Sequence, residues 1–144
     1  MINKFEILQH IIDESDIRRK IALYCRAVDR GDAGLLRSLY HENAEEIHGS
    51  YRGGIDGFIQ YAQDIVSLAE STAHHITSVI VDICGTEATS ESYFISISSK
   101  LVIGDDDPVD LVISGRYLDK WLQDADGAWK ISKRKVVQAA RAGR

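Results

Sequence analysis

Apolar residues in the first third of the chain recur with a helical period. Ile17, Ile21, Tyr24, Cys25 and Val28 fall on one stripe, with Ser15 as the expected N-cap, Asp16 in the first turn and Gly31 as terminator. This predicts an amphipathic helix ending near Asp29. A second, short helix is expected from Asp32 as cap through Leu35, Leu36, Leu39 and Tyr40, and a third from Ile55 through Phe58, Ile59, Ala62, Ile65 and Val66. Between them, Ala44 to Tyr51 reads as a short strand or a loop, closed by Gly53 and Gly54. From His75 onward the period becomes two. β-Branched runs span Ile76 to Ile83, Ser90 to Ile103, Val109 to Leu122 and Trp129 to Val137, broken at Gly85, at Gly104 to Pro108 and at Asp124 to Gly127.

Strands joined by such short breaks predict an antiparallel meander. In the second run Tyr93, Ile95, Ile97, Leu101 and Ile103 alternate with Ser92, Ser96, Ser98 and Lys100, giving one greasy and one polar face. An outer apolar face is expected from Tyr93, Ile95, Ile97, Tyr117 and Trp121, a surface suited to a second copy. Helices first and strands afterwards make an α+β domain, N-terminal helices packed on a curved antiparallel sheet. Such a sheet leaves a cone-shaped cavity open at one end, the usual place for a small ligand. With no internal repeat, low-complexity tract or linker, residues 1–144 read as a single domain.

Composition narrows the function. The 144 residues carry 27% charged and 44% hydrophobic side chains, enough to bury a core without disulfides or metal. A net charge of -5 argues against nucleic acid as a partner, since phosphate contacts need clustered Lys and Arg. The basic residues from Lys133 to Arg144 are the local exception, expected to form a solvated strand face and a loose tail. No apolar run approaches the roughly 20 residues of a membrane span, and the N-terminus lacks a signal-peptide layout. Cys25 and Cys84 form no metal or redox spacing, which points to reduced thiols and a cytoplasmic protein. Gly49, Gly53 and Gly54 form no nucleotide fingerprint. No serine sits in a nucleophile elbow. His41, Glu42, Glu45, Glu46 and His48 cluster without a metal-site spacing and read as a surface loop.

Asp29 is the sharpest candidate for chemistry. It follows Cys25 by one helical turn, beside the apolar stripe, at the negative end of the helix dipole. His74 and His75 alternate in direction along an extended segment, so one of them faces the interior. A histidine within reach of a carboxylate is an acid/base pair, the aspartate orienting the imidazole that removes a proton. Tyr24 offers a phenolic hydroxyl, although five positions along a helix place it about 140° from Asp29. Arg134 lies among Lys130, Ser132, Lys133 and Lys135, where a charge is usually solvated.

Four segments carry a family resemblance: Val28-Asp29-Arg30 after the first helix, Thr72-Ala73-His74-His75-Ile76-Thr77-Ser78 opening the sheet, Gly115-Arg116-Tyr117-Leu118-Asp119-Lys120-Trp121, and Gly127-Ala128-Trp129-Lys130-Ile131-Ser132-Lys133-Arg134. In this order the chain resembles the SnoaL-like branch of the nuclear-transport-factor-2-like superfamily, whose lyases include scytalone dehydratase, bile-acid 7α-dehydratase and hexachlorocyclohexane dehydrochlorinase. The resemblance implies a cone-like α+β barrel with a deep apolar pocket for a small hydrophobic cyclic or polyketide-like molecule, working without cofactor or metal. It implies a dehydratase-like lyase with His74 as base and Asp29 as its partner, Tyr24 as a hydrogen-bond donor and Arg134 near the pocket as an anion or leaving-group contact. The position that supplies a second acid/base group in the dehydratases is occupied by Ser96 or a neighbour, leaving Tyr24 or a water as proton donor. Isomerases, cyclases and noncatalytic dioxygenase β-subunits share the fold and stand as alternatives, and a homo-oligomer, dimer or trimer, is expected.

Overall fold

The computed structural model describes residues 3–143. The first helix, α1, spans Lys4–Asp29 and begins well ahead of the expected Ser15 cap. Asn3 forms a capping box instead: its side chain accepts the Glu6 amide at 2.9 Å, and the Glu6 carboxylate accepts the Asn3 amide at 3.0 Å. The first turns stand clear of the body: Phe5, Ile7, Leu8, Ile11 and Ile12 recur at helical spacing yet are exposed, and burial begins only at Ile17. The helix meets the sheet where Asp13 accepts the Trp129 indole N–H at 3.0 Å. Gly31, at φ +63°, takes the chain through the left-handed conformation that stops the helix. Asp32 then caps α2 (Ala33–Ser38), accepting the Leu35 amide at 2.9 Å. The third helix, α3, spans Ile55–Ser67.

Six strands form one sheet: β1 (Tyr40–His48), β2 (Tyr51–Gly53), β3 (Ser71–Cys84), β4 (Glu87–Leu101), β5 (Val109–Gln123) and β6 (Trp129–Gly143), in the order β2-β1-β6-β5-β4-β3. The expected antiparallel meander is β3 to β6. β1 adds to it by running parallel to β6, so the sheet is mixed. Register shifts at Ile76/Val79, Ser98/Leu101, Ser114/Gly115 and Lys120/Trp121 insert unpaired residues that bend the strands. At one of them Gly115 has no room for a Cβ, which would lie 2.4 Å from the Val137 carbonyl oxygen and 2.9 Å from the Phe94 ring. The sheet thus curls around α1 and α3, and the core fills the space between.

Three expectations are corrected. The basic C-terminus is strand as far as Gly143, which pairs with Leu111; small residues such as Ala140 and Ala142 let the backbones pair without burying side chains. Tyr117 and Trp121 are fully buried instead of lying on the outer face. Tyr117 is paired directly with Ser92, and opposed residues share a face, so Tyr117 points inward while Tyr93, Ile95 and Ile97 remain outside. The Ala44 to His48 segment, left open as a short strand or a loop, belongs to strand β1, and its charged cluster, read as surface, includes Glu46 at 1% exposed.

Candidate functional site

α1 packs against β3 along its C-terminal half, which brings Asp29 over the start of that strand. Asp29 Oδ1 lies 2.5 Å from His74 Nδ1, and Oδ2 accepts the His74 backbone amide at 2.9 Å. One carboxylate therefore fixes both the ring and the strand that carries it. Asp29 thus holds Nδ1 and leaves Nε2 as the ring nitrogen without a hydrogen-bond partner among the described residues. The His74 side chain is 13% exposed and points inward, whereas His75 is exposed on the opposite face. Period two decides between them.

His74 lines a cavity of about 140 Å³ with Tyr24, Val28, Phe58, His48 and Ser96. His74, His48 and Ser96 also line an adjoining space of about 370 Å³ that reaches Gln138 and Arg141. The walls are mostly apolar, with few polar groups, as small-molecule sites usually are. Among the described residues no group of three or more His, Cys, Asp or Glu side chains is arranged to hold a metal ion. No helix is long and apolar enough to cross a membrane.

Tyr24 is both core and wall. It stacks on Phe58, meets the edge of Tyr117 with ring centroids 5.3 Å apart, and lines the cavity. Burial, reinforced by the charge of Glu46, holds its hydroxyl well above the ordinary phenol range, so it remains a donor. Arg134 is fully buried behind it. The guanidinium grips Asp119 with two bonds, 2.6 Å from Nε and 2.7 Å from Nη2, and lies over the rings of Tyr24 (4.0 Å) and Tyr117 (4.4 Å). Burial opposes its charge, yet Asp119 keeps it well above the ordinary arginine value. Arg134 is not among the residues lining either space.

A second histidine meets the cavity from β1. Glu46 and His48 are two apart on one face of that strand, and both turn inward. His48 Nδ1 lies 3.2 Å from Glu46 Oε1, and Glu46 Oε2 accepts the Tyr40 hydroxyl at 2.8 Å. The His48 ring rests on Phe58, centroids 5.3 Å apart. Sequence reading missed this pair because three glutamates in β1 look solvated. The available signal was that Tyr40, Ala44, Glu46 and His48 share a strand face.

The sequence model of the SnoaL-like domain matches residues 9–135. The chain belongs to the SnoaL-like family. No curated protein sequence matches the chain. Among solved structures, hexachlorocyclohexane dehydrochlorinase LinA type 2 superposes with a TM-score of 0.84 at 20% identity, covering 95% of this chain and 92% of that one. A scytalone dehydratase candidate from Novosphingobium aromaticivorans DSM 12444 gives 0.79 at 21% identity, covering 92% and 88%. An NTF2-like superfamily protein of Salmonella enterica serovar Typhimurium LT2 gives 0.79 at 16% identity, covering 91% and 94%. At these identities the likeness is one of fold, and the SnoaL-like chain has the NTF2-like cone of helices packed on a curled mixed sheet.

This SnoaL-like cavity can do proton chemistry. It combines a carboxylate-held imidazole with a free ring nitrogen, a buried phenol and an apolar enclosure that raises the strength of any charge formed within it.

Proposed function

We propose that this protein is a cofactor-independent lyase, a dehydratase in which His74 removes a carbon-bound proton from a small hydrophobic cyclic or polyketide-like molecule. The supporting observation is the double attachment of Asp29 to His74, on ring and backbone, at the wall of an apolar cavity. Asp29 is the positioning residue: its charge favours the imidazolium that forms when His74 takes the proton. Tyr24 is the hydrogen-bond donor to a substrate oxygen. Arg134 holds Tyr24 in place from behind, since Asp119 already occupies two of its nitrogens.

An isomerase or cyclase begins with the same proton removal and is the second reading. It is favoured if the substrate carbon is reprotonated before an oxygen leaves. The exposed Tyr93, Ile95 and Ile97 support self-association as a dimer or trimer, and would equally suit the face of a noncatalytic accessory subunit. Two unpaired cysteines support a cytoplasmic setting, which fractionation of the native cell tests directly.

The deciding experiment is turnover of a panel of cyclic hydroxy ketones by His74→Ala and Asp29→Asn. Turnover is expected to vanish in His74→Ala with the circular dichroism spectrum unchanged. In Asp29→Asn, kcat is expected to fall by about 10²- to 10⁴-fold with KM little altered. Undiminished turnover in His74→Ala rules the assignment out.

A further inference from the structure

Elimination needs more than a base. Hydroxide is a poor leaving group inside an apolar cavity, so the departing oxygen must receive a proton as its bond to carbon breaks. The serine and threonine hydroxyls of the wall are too weakly acidic. Burial moves Tyr24 further from that role. An imidazolium, with an ordinary value near 6.5 against about 10 for a phenol, is the stronger acid by far.

We propose that His48, held by the buried carboxylate of Glu46, is the second proton-transfer group of this cavity and protonates the leaving oxygen. The inference rests on the reading of His74 as base.

Three observations carry it. First, two carboxylates are buried among the described residues, Asp119 and Glu46. Arg134 neutralises Asp119 through two bonds; it also stands opposite Glu46 in the β1–β6 register with Nη1 unpartnered, but the hydrogen bonds that Glu46 makes are to the Tyr40 hydroxyl and the His48 ring. A buried carboxylate needs polar partners, and of the two side chains bonded to Glu46 the His48 ring is the one that also lines the cavity. Second, Glu46 occupies Nδ1, which leaves Nε2 as the ring nitrogen open to the cavity that His48 lines beside His74, and in the proposed step that nitrogen carries the proton delivered. Third, the two histidines reach the cavity from strands far apart in the sheet. β1 and β3 are separated by β6, β5 and β4, and only the curl of the sheet brings both to one space. A substrate between them meets the base on one side and the acid on another.

The step balances. The C–H bond breaks to His74 Nε2, and its electron pair becomes the new carbon–carbon π bond. The C–O pair leaves with oxygen, which takes the Nε2 proton of His48 and departs as water. His74 ends as imidazolium and His48 as neutral imidazole, and proton exchange with solvent restores both. Glu46 acts through His48 as a positioning residue.

Two probes separate this role from a structural one: a cyclic β-hydroxy ketone, and the same ketone carrying a para-nitrophenoxy group in place of hydroxyl. The nitrophenolate leaves without a proton and is read by its absorbance. His48→Gln and Glu46→Gln are expected to slow the hydroxy ketone by about 100-fold or more and the nitrophenoxy ketone by less than about tenfold. Equal slowing of both probes, or of neither, overturns the proposal. His74→Ala should lose both probes. If it keeps them, the base reading itself has failed, a distinct outcome. Should the wild type turn over neither probe, the ring ¹⁵N signals of His48 and His74 are followed as a phenolic enol mimic, such as naphthol, is added. Response of both rings supports the proposal. Response of His74 alone overturns it, and silence of both removes the base reading with it.

Discussion

Asp29 shows how much one side chain can settle. An aspartate in the last helical turn would ordinarily accept from a nearby backbone amide or pair with a neighbouring arginine. Here it crosses to β3 and takes both the ring and the backbone of His74. Cys25, one turn earlier, illustrates the opposite effect of the same interior. Burial pushes its thiol up to about 12, with Arg134 opposing and Asp29 adding to the rise. A group raised in the folded state contributes stability that is complete below its unfolded value, about 8.5 for a thiol, and is lost as pH climbs toward about 12. Tyr24, Tyr40 and Tyr117, all raised chiefly by burial, act in the same direction at higher pH. Urea unfolding should therefore show a stability loss between about pH 9 and 12 that is shallower in Cys25→Ala. Identical slopes would refute the burial argument. Iodoacetamide on the folded protein should label the exposed Cys84 and spare Cys25.

At the level of elements, the joint between β5, β6 and α1 is held by Arg134 and Asp119. These residues are register partners on neighbouring strands, both without exposed side-chain surface, and the guanidinium also caps the Tyr24 ring from α1. Removing one member strands the other charge in the core. Arg134→Met should cost about 3–5 kcal/mol in chemical denaturation, while Arg134→Met combined with Asp119→Leu should recover much of that loss. A double variant as unstable as the single would show that the pair is not the cause. The sequence placed Arg134 among solvated charges because its neighbours Lys133 and Lys135 do point outward. It could not show that β6 buries Trp129 and Ile131 and then, past a bulge, Arg134. The same weakness hid Glu46 and His48: a strand's inward phase is set by what it pairs with, and Ile47 alone would suggest the other face.

For the whole molecule, the outer face of the sheet remains apolar. Ile97 and Val112 sit opposite one another across β4 and β5, each about two-fifths exposed, with Ile95 and Tyr93 along the same strand. Light scattering should give the mass of two or three copies, and Ile97→Lys should lower it without altering the circular dichroism spectrum. A wild-type mass of one copy would end that reading. The helix-then-strand order, the meander, the cap at Asp32 and the Asp29 and His74 pair were all legible in the sequence, because each is fixed by local spacing or by residues that match a known motif in order. The first cap of α1, the full length of β6, the inward turn of Tyr117 and Trp121, and the meeting of His48 with His74 were decided only in three dimensions. Period two says that neighbours in a strand face opposite ways. Which way is inside depends on register, on the bulges that curl the sheet, and on the partner strand, and none of these is written within a single strand's own residues.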